Sequence, residues 1–353
     1  MKNGKKLSKR KHLAFLAVIT VVPAIVIVSL LEISVRIFVP NLKPVQEIIT
    51  PVSPDAERLL PFLRPHYEAR LTTSEYVMSM KHNSLGFRDS EHLKKRSEKI
   101  TRVVIIGDSF TYGWGVNQDQ TYPALLQSLL DGAGDRQYEI FNMGIPDTGT
   151  VEAQQIAQVA MTFDPHIVVL AMLLEDRWAV NGNDLVDNAR KPQGEQASAA
   201  GRQPSAGVLT STHNFFARHS ALYAYIMMRC GHIMRRQAIG MRENQNRQEL
   251  DAAWELTTGL LAELNARAKA ASVTFAVMRC PFYFDTQRAK PDRISARLTE
   301  VGQDLEIPVL DLLPGMQQLD TGSLYYQRDG HWTPAGNEAA AAIITPFIHS
   351  LTP

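Results

Sequence analysis

Thiols are scarce in this sequence: Cys230 and Cys280 are the only two in 353 residues. Two cysteines cannot build a disulfide-stapled mini-fold or a four-thiolate zinc site. Net charge is nearly absent too, with 37 Lys and Arg set against 36 Asp and Glu. The chain as a whole therefore has no electrostatic reason to bind nucleic acid. The 21 glycines and 19 prolines follow no period, which excludes collagen-like and low-complexity architectures. A hydrophobic content of 45% excludes a disordered chain, because that much apolar surface can offset the entropy of ordering. The length suits one large domain or two modest ones.

The averages hide an uneven distribution. Residues 1–12, MKNGKKLSKRKH, carry Lys2, Lys5, Lys6, Lys9, Arg10 and Lys11 and no acid. Leu13 to Leu31, LAFLAVITVVPAIVIVSLL, carries no charge. As a helix this run spans roughly 28 Å, about one bilayer core. Apolar character resumes after Glu32 as ISVRIFVP, leaving Arg36 to snorkel to the far interface. Pro23 is tolerable in lipid, where neighbouring groups satisfy the freed carbonyl. A buried soluble helix explains neither the basic flank nor the all-round apolarity. A cleaved signal peptide calls for a shorter apolar core and a small-x-small exit, and SLLEISVRIF has neither. The pattern predicts a cytosolic basic tail (1–12), an uncleaved single-pass anchor (13–39) and an exported remainder. From residue 12 onward the chain has 31 basic and 36 acidic residues, a net of −5. Cys230 and Cys280 would then meet an oxidising compartment and could pair, although sequence sets no distance between them.

Residues 40–100 mix proline, charged and aromatic residues and read as a stalk with a lead-in segment. An α/β rhythm begins at about residue 101. Apolar runs at 102–110, 138–144, 166–173, 273–281 and 307–313 read as strands. Helical patterns at 122–132, 151–163, 249–271 and 334–348 separate and follow them. A further amphipathic pattern at 221–236 reads as a lid or flanking helix. Thr333 suits an N-cap, with Pro334 at the first helical position. Continuous apolar strands covered on both faces imply a doubly wound parallel α/β domain over 101–353, interrupted by a polar insertion at about 181–215. In such sheets chemistry sits just past the strand C-termini.

Three strand ends carry suitable residues. Gly107-Asp108-Ser109 follows the first strand, where a tight turn presents a serine hydroxyl at the sheet edge. Asn142-Met143-Gly144 ends the second, and its glycine allows a backbone N–H to approach a ligand closely. Asp329-Gly330-His331-Trp332 precedes the last helix; this histidine can take a proton from a serine while the acid fixes its tautomer. Gly113-Trp114-Gly115 lacks the remainder of a dinucleotide fingerprint. There is no Gly-x-Ser-x-Gly elbow, and the histidines show no metal-ligand spacing. No cofactor or metal is expected.

The blocks IIGDSFTYGWGV, FNMGIPDTGTVEAQQ and YQRDGHWTPAGNEAAA resemble those of the SGNH (GDSL-type) hydrolase superfamily. HNSLGFRD at 82–89 resembles a lead-in of its membrane-anchored bacterial members. The resemblance implies a three-layer flavodoxin-like fold, Ser109 as nucleophile, and Asp329 and His331 as the acid and base. It also implies an oxyanion hole from the N–H groups of Ser109 and Gly144. Asp108, Asn142 and Trp332 are candidate substrate contacts, with packing of the final helix the alternative for Trp332. Two departures stand out. Asp329 and His331 are two apart instead of three, a form that resembles polysaccharide O-acetylation domains, those of alginate included. Glu175 occupies the position that usually supplies an oxyanion-hole asparagine, and an ionised carboxylate repels an oxyanion. A protonated Glu175, Asn181 or Asn183 as a substitute donor, and weak activity are the open alternatives. The resemblance implies an esterase or O-acyltransferase acting on glycan acyl esters outside a bacterial inner membrane, with a membrane acyl-donor protein as a candidate partner. A nearly inactive glycan-binding module and a lipolytic esterase are the rival expectations.

Overall fold

The computed structural model describes residues 9–38, 65–73, 75–132, 136–146, 148–174, 215–216, 219–223, 225–226, 247–287, 293–327 and 329–352. The chain divides into two compact units, one of Met1–Gln46 with Ala206–Arg236 and one of Glu47–Ser205 with Gln237–Pro353. The expected insertion at 181–215 and the 221–236 helix lie largely outside the described residues.

Five parallel strands form the sheet of the larger unit: β3 (Ile100–Gly107), β4 (Gln137–Gly144), β5 (Ile167–Met172), β6 (Thr274–Arg279) and β7 (Val309–Asp311), in the order β4-β3-β5-β6-β7. Relative to the first of them this is the 2-1-3-4-5 flavodoxin-like order, which switches direction beside β3. The strands alternate between two buried layers. Val104, Ile106, Val168 and Leu170 join one core with α4 (Thr150–Met161), α5 (Arg247–Ala270) and α6 (Arg293–Asp304). Val103, Ile105, Ile167 and Val169 join the other with α3 (Tyr122–Asp131) and α7 (Pro334–Leu351). The doubly wound parallel fold is as expected.

Helix starts follow capping chemistry. Thr121 accepts from the Ala124 N–H at the start of α3, and Thr333 accepts from the Gly336 N–H at the start of α7, with Pro334 at the first helical position. The first strand ends at Gly107, earlier than its apolar run, because Asp108 becomes the N-cap of a four-residue helix, α2 (Ser109–Tyr112).

The lead-in is more ordered than a stalk. Strands β1 (Glu68–Thr72) and β2 (Val77–Lys81) pair antiparallel, and Leu71, Tyr76, Met78 and Met80 bury around Tyr112. The HNSLGFRD motif then ties this hairpin to the α2 turn. Arg88, fully buried, donates to the carbonyls of Ser79, Tyr112, Gly113 and Val116 at 2.7–3.1 Å. His92 continues the attachment along edge strand β4, with Nε2 on Asp89 and Nδ1 on Glu139, both at 2.9 Å. Glu139 in turn pairs with buried Arg102 at 2.7 Å.

The smaller unit contains helix α1 (Lys9–Phe38), in which Val18–Phe38 is long and apolar enough to span a bilayer. Near its end Glu32 accepts from Ser220 Oγ and from the N–H groups of Ala221 and Leu222 at 2.8–2.9 Å. Arg36 pairs with Glu32 and donates to the His219 carbonyl at 3.1 Å.

Candidate active site

Two turns at the C-terminal edge of the sheet form the site. The first follows β3. Asp108 Oδ1 accepts from the Phe110 N–H at 2.8 Å, which fixes the start of α2 and leaves Ser109 at its first position. The N–H of a first helical residue has no carbonyl partner within its helix. Gly113 closes the turn at φ +80°, a conformation that favours glycine.

The second turn precedes α7. Tyr326 and His331 face each other across it: the Tyr326 N–H donates to the His331 carbonyl at 2.9 Å. Gly330 sits at φ +87° and reverses the chain between Asp329 and His331. That left-handed glycine is how a two-residue spacing still brings acid and imidazole together. His331 Nε2 lies 2.8 Å from Ser109 Oγ, and His331 Nδ1 is hydrogen-bonded to Asp329 Oδ1. A serine and an acid–histidine pair more than 200 positions further along the chain thus form one connected run. The His331 and Asp329 side chains are 20% and 24% exposed, open enough to meet a ligand. Burial pushes the Asp329 carboxyl upward, but hydrogen bonds from His331 and Tyr76 outweigh it and hold the group below the usual carboxylate range.

Other expected site residues are placed differently. The Gly144 N–H donates to Asn142 Oδ1 at 3.0 Å, so in this structure it is engaged within its own strand end. Its lack of a side chain has another use, since an added Cβ would lie 2.2 Å from the Tyr112 nitrogen. Gly144 lets β4 back the Ser109 turn. Asn142 is 4% exposed and its own N–H donates to Asp89, which makes it a structural link and not a surface contact. Asp108 is 5% exposed and serves as the cap described above. Trp332 is 1% exposed, edge-on to Phe110 and Tyr122, so it packs the core beneath α7 and cannot stack on a sugar. Glu175, Asn181 and Asn183 lie outside the described residues, as does Cys230; Cys280 is buried in the core.

The sequence reading missed the lead-in hairpin's part in the site. Tyr76 Oη donates to Asp329 Oδ2 at 2.8 Å, and Glu75 Oε2 accepts from the Asp329 N–H at 3.0 Å. The alternating VMSMK of β2 was the available signal, because it turns Met78 and Met80 inward beside Tyr76.

A doubly wound parallel sheet with a Ser–His–Asp run at its C-terminal edge defines a three-layer α/β protein with the groups for acyl chemistry. The profile of the GDSL-like Lipase/Acylhydrolase family matches residues 105–339, and the chain belongs to this family. Its members are esterases and acylhydrolases. Similar solved structures include the psychrotrophic esterase EstA from Pseudoalteromonas sp., at 11% identity over 71% of this chain and 97% of that one, with a TM-score of 0.41. The lipase/acylhydrolase from Enterococcus faecalis is 14% identical over 71% and 96%, TM-score 0.41. The acetyl xylan esterase AlAXEase is 13% identical over 70% and 100%, TM-score 0.41. No curated protein matches the chain.

Proposed function

We propose that the chain is a membrane-anchored, serine-dependent ester hydrolase or O-acyltransferase whose α/β unit works outside the cytoplasmic membrane. The observation that carries this reading is the hydrogen-bonded run from Ser109 through His331 to Asp329. His331 Nε2 takes the Ser109 proton as Oγ attacks an ester carbonyl. Asp329 fixes the Nδ1–H tautomer and balances the imidazolium that forms. The Ser109 N–H, at the open start of α2, donates to the tetrahedral oxyanion. His331 then returns its proton to the leaving alcohol. Water, or a sugar hydroxyl in the transferase variant, resolves the acyl-serine.

The anchor reading rests on the apolar helix and on Glu32. Retaining α1 keeps the Glu32 carboxylate on Ser220, Ala221 and Leu222, and cleavage would leave that segment uncapped. Glycan acetyl esters are the proposed substrates, supported by the Asp-x-His-Trp resemblance.

The test uses the full chain in membranes washed with alkaline carbonate. Acetate release from p-nitrophenyl acetate and from acetylated oligosaccharides is expected in the pellet, and Ser109→Ala should lower it by at least about 10³-fold. Equal rates in the two proteins would refute the nucleophile, and activity in the supernatant would refute the anchor. Preference for the simple ester over every oligosaccharide would refute the glycan substrate.

A further inference from the structure

We propose that Tyr76 is a positioning residue for the acid of the site, so that the lead-in hairpin is part of the catalytic apparatus. The proposal rests on the Ser109–His331–Asp329 reading and adds what sets the acid's orientation and charge. Asp329 has two carboxylate oxygens with different partners. Oδ1 takes His331 through both its Nδ1 and its backbone N–H, while Oδ2 takes the Tyr76 hydroxyl at 2.8 Å. The neighbouring Glu75 holds the Asp329 backbone N–H at 3.0 Å. One dipeptide of the hairpin therefore grips both the main chain and the side chain of the acid.

Trp114 closes the arrangement. It packs against the buried cluster that holds Tyr76 and Tyr112, and its backbone N–H donates to the Ser109 carbonyl at 2.9 Å. The hydrogen-bonded run from Ser109 through His331 and Asp329 ends on Tyr76, and Trp114 packs between that tyrosine's cluster and the Ser109 turn. The Gly113-Trp114-Gly115 motif, which fits no nucleotide fingerprint, thereby has a place. Both flanking glycines have positive φ, +80° and +91°, which turns Trp114 out between them. Tyr326 lies tilted against Tyr76, ring centroids 4.8 Å apart, and donates to the Gly115 carbonyl at 3.0 Å, bracing Tyr76 from the Asp329 turn. Residues 75 and 76 precede position 105, where the family match begins, so this support is an addition to the matched family region.

The chemistry gives the tyrosine a specific effect. Burial, and then the Asp329 charge, drive the Tyr76 phenol far upward, so it remains a donor throughout the working pH range. A hydroxyl donating to Oδ2 draws negative charge away from the oxygen that faces His331. Among the described residues, the other ionisable groups facing Asp329 are Glu75 and the Tyr326 phenol, itself pushed up to about 12 by burial and then by Asp329 and Glu75. Removing the hydroxyl alone leaves Asp329 more negative toward His331 and favours the imidazolium. The acid limb of the pH profile of kcat/KM then moves to higher pH.

The experiment compares wild type, Tyr76→Phe and a protein with 3-fluorotyrosine at position 76, in the full chain. Tyr76→Phe is expected to lower plateau kcat/KM about tenfold and to shift the acid limb upward. The fluorinated residue keeps the shape, donates more strongly, and is expected to shift the limb downward; it also serves if Tyr76→Phe fails to fold. A rate loss with an unmoved limb would make Tyr76 a packing residue only and overturn the proposal, as would an unmoved limb with fluorotyrosine. Ser109→Ala separates the two readings. Full activity in that variant sinks the parent mechanism, whereas a Ser109-dependent enzyme with unmoved limbs sinks the Tyr76 role alone.

Discussion

At the scale of single residues, the site depends on atoms that are missing as much as on those present. Gly144 has no side chain where the Tyr112 nitrogen and the Thr111 carbonyl carbon would lie 2.2 and 2.6 Å from a Cβ. Those neighbours are main chain of the Ser109 turn and cannot swing aside. Gly144→Ala is therefore expected to destabilise the fold by roughly 1–3 kcal/mol, read as a lower urea midpoint, and to displace Ser109. An unchanged midpoint would show that the turn relaxes freely. Gly330 plays the complementary part by reversing the chain between Asp329 and His331. The serine, the histidine and the acid were legible in the sequence because each sits at a strand end or before a helix cap. The engagement of the Gly144 N–H was not legible, since it depends on where the Asn142 side chain turns within one strand end. The burial of Trp332 follows the packing alternative, with the rings of Phe110 and Tyr122 opposing it.

At the scale of elements, the five strands and the helices α3, α4, α5 and α7 follow from apolar periodicity and caps and emerge close to the expected bounds, whereas α6 was not expected. The lead-in's part in the site was harder to read, because only the five residues of β2 alternate clearly and the contacts that matter are made to residues about 250 positions along the chain. Its attachment to edge strand β4 is ionic and centred on His92. Burial alone would lower the His92 pKa, but hydrogen bonds and charge from Asp89 and Glu139 prevail and raise it. A group whose folded pKa is raised stabilises the fold fully below its unfolded value, about 6.5, and loses that contribution as pH climbs through the folded value. The melting temperature of the wild type is therefore expected to fall as pH rises above about 6.5. His92→Gln should have a lower melting temperature at acidic pH and a flatter dependence. Parallel pH curves for the two proteins would remove His92 from the account.

At the scale of the whole molecule, a near-zero net charge conceals a basic tail of six charges before the apolar helix and an acidic remainder. The helix also has a structural partner in its own unit, Glu32 linking it to residues 220–222 and Arg36 to His219. Everything else about function hangs on one claim, that Ser109 is the nucleophile of an acyl-transfer site. The most direct measurement is covalent. The full chain is treated with a fluorophosphonate, which traps an activated serine, and digested for mass spectrometry. The account predicts a single adduct on the peptide holding Ser109, abolished in His331→Ala. An adduct on another residue, or none in the wild type, would contradict it.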